Sequence, residues 1–274
     1  MDTLEGKVAV VTGGASGIGA ALGRAFVAAG CAVVLADVDR GALNAAAAAA
    51  GGQVLPVVTD VSDPDAVDRL ADQAFRHFGA VHVVCNNAGV STFNPVSNQA
   101  LEDWHWVLGV NLWGVVHGVR TFLPRLLDLG QPAHIVNTSS IAGLMSGLAG
   151  LGPYAVSKVG VLALSETLRQ ELAMAGAPIG VSVLCPGSTA TGILDSERNR
   201  PDQLGREDRT VEGEGLREIV RAVSTGPAAR TADQVAAAVL EAIHQDRFWV
   251  ITSGEMREPM STRFTEILEA TPTL

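Results

Sequence analysis

The sequence predicts a doubly wound α/β domain built on a parallel sheet, and three observations carry that prediction. Short, unbroken apolar runs rich in β-branched residues recur along the chain. Amphipathic stretches long enough for helices separate them. The first apolar run also passes directly into a glycine-rich turn, Gly13-Gly14-Ala15-Ser16-Gly17-Ile18-Gly19. Seven runs read as strands: Val8–Val11, Ala32–Ala36, Val54–Val58, Val81–Cys85, Ile135–Val136 with its flanks, Val181–Cys185 and Phe248–Ile251. None alternates polar with apolar, as expected where both faces of a strand are covered.

Six segments read as helices: Ile18–Ala29, Ala42–Ala50, Pro64–Phe78, Leu101–Leu129, Tyr154–Ala175 and Ala232–Gln245. Ser62 or Asp63 ahead of Pro64, and Thr231 ahead of Asp233, mark two of the starts. Parallel strands must be joined through crossovers, so alternating strands and helices imply about seven parallel strands with helices on both faces. No repeat or linker divides the chain, and residues 1–274 read as a single domain. The segment 188–226 breaks the rhythm. It is rich in Arg, Asp, Glu and Gly, with partial helix around Leu216–Val223, and reads as an inserted lid over a substrate.

Composition narrows the function. A net charge of −10 provides no basic surface for nucleic acid or an anionic membrane. The most apolar long stretch, Val107–Val119, is interrupted by Asn111 and His117 and is too short to span a bilayer. Three separated cysteines, Cys31, Cys85 and Cys185, fit buried thiols in a reducing compartment. Met1–Lys7 carries two acids and runs into a strand, unlike a secretion signal. The expectation is a soluble, cytoplasmic protein. The six histidines have no metal-ligand spacing, so no metal is expected.

The glycine-rich turn lies where a strand meets a helix, so its backbone can approach a pyrophosphate resting on the helix N-terminus. An ordinary glycine-rich turn is the alternative. Asp37 ends the second strand and could accept the hydroxyls of an adenosine ribose while repelling a 2′-phosphate. Position 16 is serine and no arginine follows Asp37 directly, although Arg40 lies close. NAD is therefore favoured over NADP. Tyr154 and Lys158 are four apart in a helical segment and share a face. Tyr154 is the single tyrosine, and Lys158 is one of two lysines, with Lys7. An ammonium beside a phenol lowers its pKa toward working pH, which suits an acid/base.

Together these residues resemble the short-chain dehydrogenase/reductase family over about Lys7 to Thr252, with a Rossmann domain. The matches are Thr12-Gly13-x-x-x-Gly17-Ile18-Gly19, Asp60-Val61, Asn86-Asn87-Ala88-Gly89, Asn111, Ser140, Tyr154-x-x-x-Lys158, and Pro186-Gly187 with Thr191. The resemblance implies a hydride transfer with Tyr154 exchanging the substrate proton and Ser140 holding the substrate oxygen. Ser139 is the competing hydroxyl. It further implies that Lys158 binds the nicotinamide ribose and tunes Tyr154, and that Asn111 holds a water linking Lys158 to solvent. The cofactor would lie on Thr12, Gly13, Ser16, Gly17, Ile18, Gly19, Asp37, Asp60, Val61, Asn87, Ala88, Gly89, Tyr154, Lys158, Pro186, Gly187 and Thr191. A homo-oligomer, tetramer or dimer, is implied, with the helices at 101–129 and 154–175 packing across an interface.

One departure stands out: the run Ile141–Pro153 between Ser140 and Tyr154 is a residue longer than the family pattern. It should reshape the substrate wall without moving the catalytic pair. That wall is expected from Ser140, Phe93, Leu144, Met145, Leu148, Leu151, Ile193 and Leu194, beside Pro186. With Lys158 as its one cation, the wall suits a neutral, fairly hydrophobic secondary alcohol or ketone. Arg198 and Arg206 of the insertion are expected to be solvated and balanced by nearby acids. Trp104, Trp106 and Trp113 are expected to serve packing or an interface, and His105 and His117 to lie on a helix surface or interface. The alternatives are an NADP-dependent carbonyl reductase and a non-catalytic dinucleotide-binding scaffold.

Overall fold

The computed structural model describes residues 1–145, 147–254 and 256–272. Ser146, in the lengthened run, lies outside them. The chain runs β1 (Val8–Thr12), α1 (Gly17–Ala28), β2 (Ala32–Asp37), α2 (Arg40–Ala50), β3 (Val54–Val58), α3 (Pro64–Phe78) and β4 (Val83–Asn86). It continues through α4 (Leu101–Leu108), a π-helical turn at Gly109–Trp113, α5 (Gly114–Leu129), β5 (Ala133–Thr138), α6 (Ile141–Met145), α7 (Gly152–Met174) and β6 (Ile179–Cys185). Then follow short 3-10 turns, α8 (Val211–Ser224), α9 (Ala232–His244), β7 (Trp249–Ile251) and α10 (Arg257–Glu269).

All neighbouring strands are parallel, in the order β3-β2-β1-β4-β5-β6-β7. Alternate strand residues enter opposite cores. Val10, Val34, Val84, Ile135 and Val183 face a layer that includes Leu70 of α3, Phe122 of α5 and Val161 of α7. Val11, Leu35, Cys85, Val136 and Leu184 face Leu22 of α1, Leu43 of α2 and Val239 of α9. Each such side chain taken from water contributes about 1.5–3 kcal/mol. Gly23 permits the close approach of α1, since a β-carbon there would lie 2.8 Å from Leu35 Cδ2. Asp63 caps α3 by accepting from Asp65 N, and Thr231 caps α9 by accepting from Gln234 N.

Several details depart from the sequence reading. The expected helix 101–129 is two helices joined by the π turn, a one-residue widening in which Asn111 is buried. α6 and α10 were not anticipated. His117 is buried rather than on a surface, with Nδ1 2.9 Å from Val61 O. Trp113 is exposed, at 55%. All three thiols are buried, and burial pushes Cys31 up to about 11 and Cys185 up to about 12. Among the described residues no helix is long and apolar enough to cross a membrane.

Candidate active site

The strand order reverses between β1 and β4, and a cleft of about 440 Å³ opens at their C-terminal ends. The two turns that flank it are locked together. Asn87 Nδ2 donates to Thr12 O at 3.0 Å, and Thr12 Oγ1 accepts from Asn87 N at 2.9 Å and from Ala88 N at 3.2 Å. Gly13 adopts φ +67°, and a β-carbon there would lie 2.8 Å from Ala88 Cα. Thr12 and Gly19 thus shape the turn from behind, while Gly13, Ser16, Gly17 and Ile18 line the cleft. Ser16 at the start of α1 makes no side-chain cap, and no acid lies in the first turn. The free N–H groups and helix dipole therefore suit an anionic group. Thr191 lies against Gly17, whose β-carbon would meet its methyl at 3.2 Å.

Asp37, Asp60, Val61, Asn87, Ala88, Gly89, Pro186, Gly187 and Thr191 also line the cleft. Asp37 is oriented by Ala15 N and Asp39 N, each at 3.1 Å, and its oxygens keep further acceptor capacity. Asp60 is turned toward Ser62, whose N and Oγ both donate to its Oδ1.

Ser140, Tyr154 and Lys158 converge on the same cleft. Their positions follow from packing of α7 on β5 and α6. Ser139 Oγ donates to Lys158 O at 2.7 Å, and Gly143 fits beneath that carbonyl, 2.9 Å from where its β-carbon would be. Ser139 is thereby committed to the fold, which leaves Ser140 beside Tyr154. Lys158 is 2% exposed; its Nζ donates to Thr138 O at 2.9 Å and lies 5.5 Å from the Tyr154 ring centre. Burial pulls Lys158 down to about 8.

The expected depression of Tyr154 by Lys158 is not what this site displays. Burial raises the phenol above its usual range, and the Ser140 hydrogen bond only partly opposes it. The Lys158 ammonium donates to Thr138 O instead, and desolvation dominates the phenol. Asn111 is fully buried behind the cleft rather than in its lining. Its Oδ1 accepts from Val90 N at 2.8 Å, and its Nδ2 donates to Val90 O and Ser157 Oγ. A β-carbon at Gly89 would meet Asn111 Oδ1 at 3.5 Å and Lys158 Nζ at 3.6 Å, so glycine keeps the space between them clear.

The wall is only partly as expected. Phe93, Leu148, Leu151 and Ile193 line the cleft, but Leu144, Met145 and Leu194 do not. α6 turns Leu144 into the core of the α7 face, and Leu194 packs behind Phe93 and Leu151. Instead Trp106, Val110, Ile219, Val220, Val223 and Met256 complete it. Trp106 and Val110 share one face of α4 and the π turn, and Ile219, Val220 and Val223 form a helical stripe. The stripe was readable as a pattern, but its target was not.

Polar contacts hold the 188–226 segment over the cleft. Asn94 Oδ1 accepts from Thr210 N, Glu207 Oε1 accepts from Phe93 N, and Arg209 pairs with Glu207 and Glu197. Arg198 is exposed, as expected, but instead of meeting a nearby acid it lines the cleft and reaches Ser16 Oγ at 3.5 Å. Arg206 lies away from the cleft lining, near Glu197, Glu207 and Glu214.

A glycine turn at the switch point, with serine, tyrosine and lysine at one cleft, defines a dinucleotide-dependent oxidoreductase site. The chain belongs to the short-chain dehydrogenase/reductase family: the short chain dehydrogenase family matches residues 7–202. A 1-deoxy-11-beta-hydroxypentalenate dehydrogenase of Streptomyces avermitilis is 39% identical, over 96% of this chain and 91% of that one. A C alpha-dehydrogenase of Sphingobium is 34% identical, over 98% and 88%. A short chain dehydrogenase/reductase of Burkholderia phymatum, solved in complex with NAD, superposes with a TM-score of 0.94 at 42% identity, covering 100% of this chain and 99% of that one.

Proposed function

We propose that this enzyme transfers hydride between NAD(H) and a neutral, fairly hydrophobic secondary alcohol or ketone, with Tyr154 as acid/base. The observation that carries the reading is the convergence of Ser140, Tyr154 and buried Lys158 on one cleft. A non-catalytic scaffold has no use for that grouping. The glycine cradle, the uncapped start of α1 and the oriented Asp37 fit a dinucleotide without a 2′-phosphate, and the Burkholderia phymatum relative was solved with NAD. Gly13, Ser16, Gly17, Ile18, Asn87, Ala88, Gly89, Pro186, Gly187 and Thr191 would hold it, with Asp37 on the adenosine ribose and Lys158 on the nicotinamide ribose. Asp60 and Val61 would flank the adenine.

When bound, the nicotinamide supplies the hydride acceptor in oxidation and the donor in reduction. Ser140 hydrogen-bonds the substrate oxygen and fixes the reacting carbon. In oxidation Tyr154 Oη takes the hydroxyl proton as the carbon–hydrogen bond breaks; in reduction it returns the proton to the forming alkoxide. Lys158, Asn111 and the clear space at Gly89 offer a route by which that proton reaches solvent. Phe93, Leu148, Leu151, Ile193 and the α8 stripe exclude water and favour apolar substrates. The 188–226 segment acts as the lid.

NADH formation across secondary alcohols graded by size and charge tests this reading. Turnover should favour bulky neutral alcohols with NAD over NADP, and Asp37→Ala should narrow the cofactor preference. Tyr154→Phe should reduce kcat by about 1,000-fold. Unchanged turnover in Tyr154→Phe, or a wild-type preference for NADP, overturns it.

A further inference from the structure

We propose that Arg198 clamps the pyrophosphate of the bound dinucleotide, tying the lid segment to the glycine-rich turn. The proposal rests on the reading that this cleft binds NAD. Arg198 comes from the short turns after Thr191, yet its guanidinium reaches across the cleft mouth to Ser16 Oγ at 3.5 Å. It is held there from behind. One of its terminal nitrogens donates to Gly192 O at 3.0 Å and to Asp195 O at 2.8 Å. Gly192 leaves room for the group to lie flat, since a β-carbon there would approach both terminal nitrogens at 3.4 Å.

The acids around it are engaged elsewhere. Asp195 Oδ1 pairs with Arg217 at 2.7 Å and lies 3.9 Å from Arg221, and Glu197 pairs with Arg209. Among the described residues no carboxylate lies within ion-pair distance of Arg198. Its charge therefore faces the start of α1, whose N–H groups and dipole are themselves positive and carry no acidic first turn. Two positive groups placed together repel unless an anion lies between them. A diphosphate resting on Gly17 and Ile18 is the anion that the site's shape admits. Asp37, whose Oδ2 accepts from Ala15 N, disfavours a second phosphate at the ribose.

The clamp also links binding to the lid. Because Arg198 belongs to the segment that continues to α8, an anion held by it draws that segment against the turn. Cofactor occupancy and lid closure then reinforce one another, as linkage requires.

The test compares wild type with Arg198→Gln and Arg198→Lys by titration with NADH, adenosine diphosphate and adenosine. Arg198→Gln should weaken NADH and adenosine diphosphate about tenfold while leaving adenosine unchanged. Arg198→Lys should recover part of the loss, because charge is retained without the fork. Added salt should weaken NADH binding more steeply in wild type than in Arg198→Gln. NAD should slow tryptic cleavage after Arg206 and Arg209 in wild type but not in Arg198→Gln. Equal NADH affinity in wild type and a folded Arg198→Gln overturns the clamp, as does an equal loss for adenosine. If Arg198→Gln does not fold, the salt dependence of the wild type and the affinity of Arg198→Lys decide the matter. A wild type that binds no NADH would instead remove the cofactor reading beneath it.

Discussion

Arg200 and Asp103 form an ion pair of 2.7 Å between the lid segment and α4, with side chains only 3% and 2% exposed. Arg200 also donates to Gly205 O and stacks over Trp106, 5.1 Å from the ring centre, while Asp103 accepts from Ala100 N. The pair thus fastens the lid's first half to the helix that provides the cleft's tryptophan. Removing one member leaves a buried charge. Asp103→Leu should cost about 3–5 kcal/mol in urea unfolding, and the double change with Arg200→Met should recover much of it.

The neighbouring serines make different bonds: Ser139 Oγ donates to Lys158 O, and Ser140 Oγ accepts from Ala142 N beside Tyr154. Ser140→Ala should lower kcat about 100-fold if Ser140 holds the substrate oxygen as proposed, and cost about 1 kcal/mol of stability through the lost bond from Ala142 N. Ser139→Ala should cost about 1 kcal/mol of stability through the lost bond to Lys158 O, with a smaller effect on kcat. Parallel rate and denaturation measurements on both variants separate the roles.

Gly19 tolerates no side chain. A β-carbon there would lie 2.0 Å from Gly13 O and 2.7 Å from Asn87 Nδ2, neither of which is a flexible chain end. Gly19→Ala should therefore shift the turn, destabilise the protein by about 2 kcal/mol and reduce NADH affinity more than tenfold. Calorimetric titration together with thermal unfolding checks both effects.

His134 should make the fold sensitive to acid. Burial pulls its pKa from 6.5 to about 4, against the opposing pull of Asp246, while Nε2 lies 2.8 Å from Ser182 Oγ. Between those two values the unfolded chain binds a proton that the folded chain refuses, so stability falls as pH drops. The loss should approach about 3 kcal/mol near pH 4 and be absent above 6.5. His134→Gln should flatten this dependence in urea unfolding measured from pH 7 to 4.5.

The sheet was legible because the central strands are buried on both faces and announce themselves as apolar runs. The partly exposed edge strands β3 and β7 keep the same apolar composition. Strand ends moved by at most two residues, as at Val83 and Ile179, where the hydrogen-bonded ladder is shorter or longer than the apolar run. The convergence of Ser140, Tyr154 and Lys158 on one cleft was legible because tyrosine and lysine are spaced to share a helix face, and the glycines mark a strand-to-helix turn. What sequence could not give was tertiary. The π turn depends on what surrounds Asn111, and α10 contains no fully buried residue, so no apolar stripe marks it. Leu144 and Leu194 look like wall residues until α6 and the 3-10 turn rotate them into the core. Arg198 looks balanced by its neighbouring acids until Asp195 and Glu197 are seen paired with other arginines.

The apolar roof comes from Ile219, Val220, Val223 and Met256, all beyond residue 202, where the family match ends. Ser140, Tyr154, Lys158 and the glycine turn all lie within it. The proposed reacting groups thus share one stretch of the chain, while the wall is divided: Phe93, Trp106, Leu148, Leu151 and Ile193 lie inside the match, and Ile219, Val220, Val223 and Met256 beyond it. Exchange of residues 203–272 between relatives should therefore replace one side of that wall while leaving the proposed reacting groups in place.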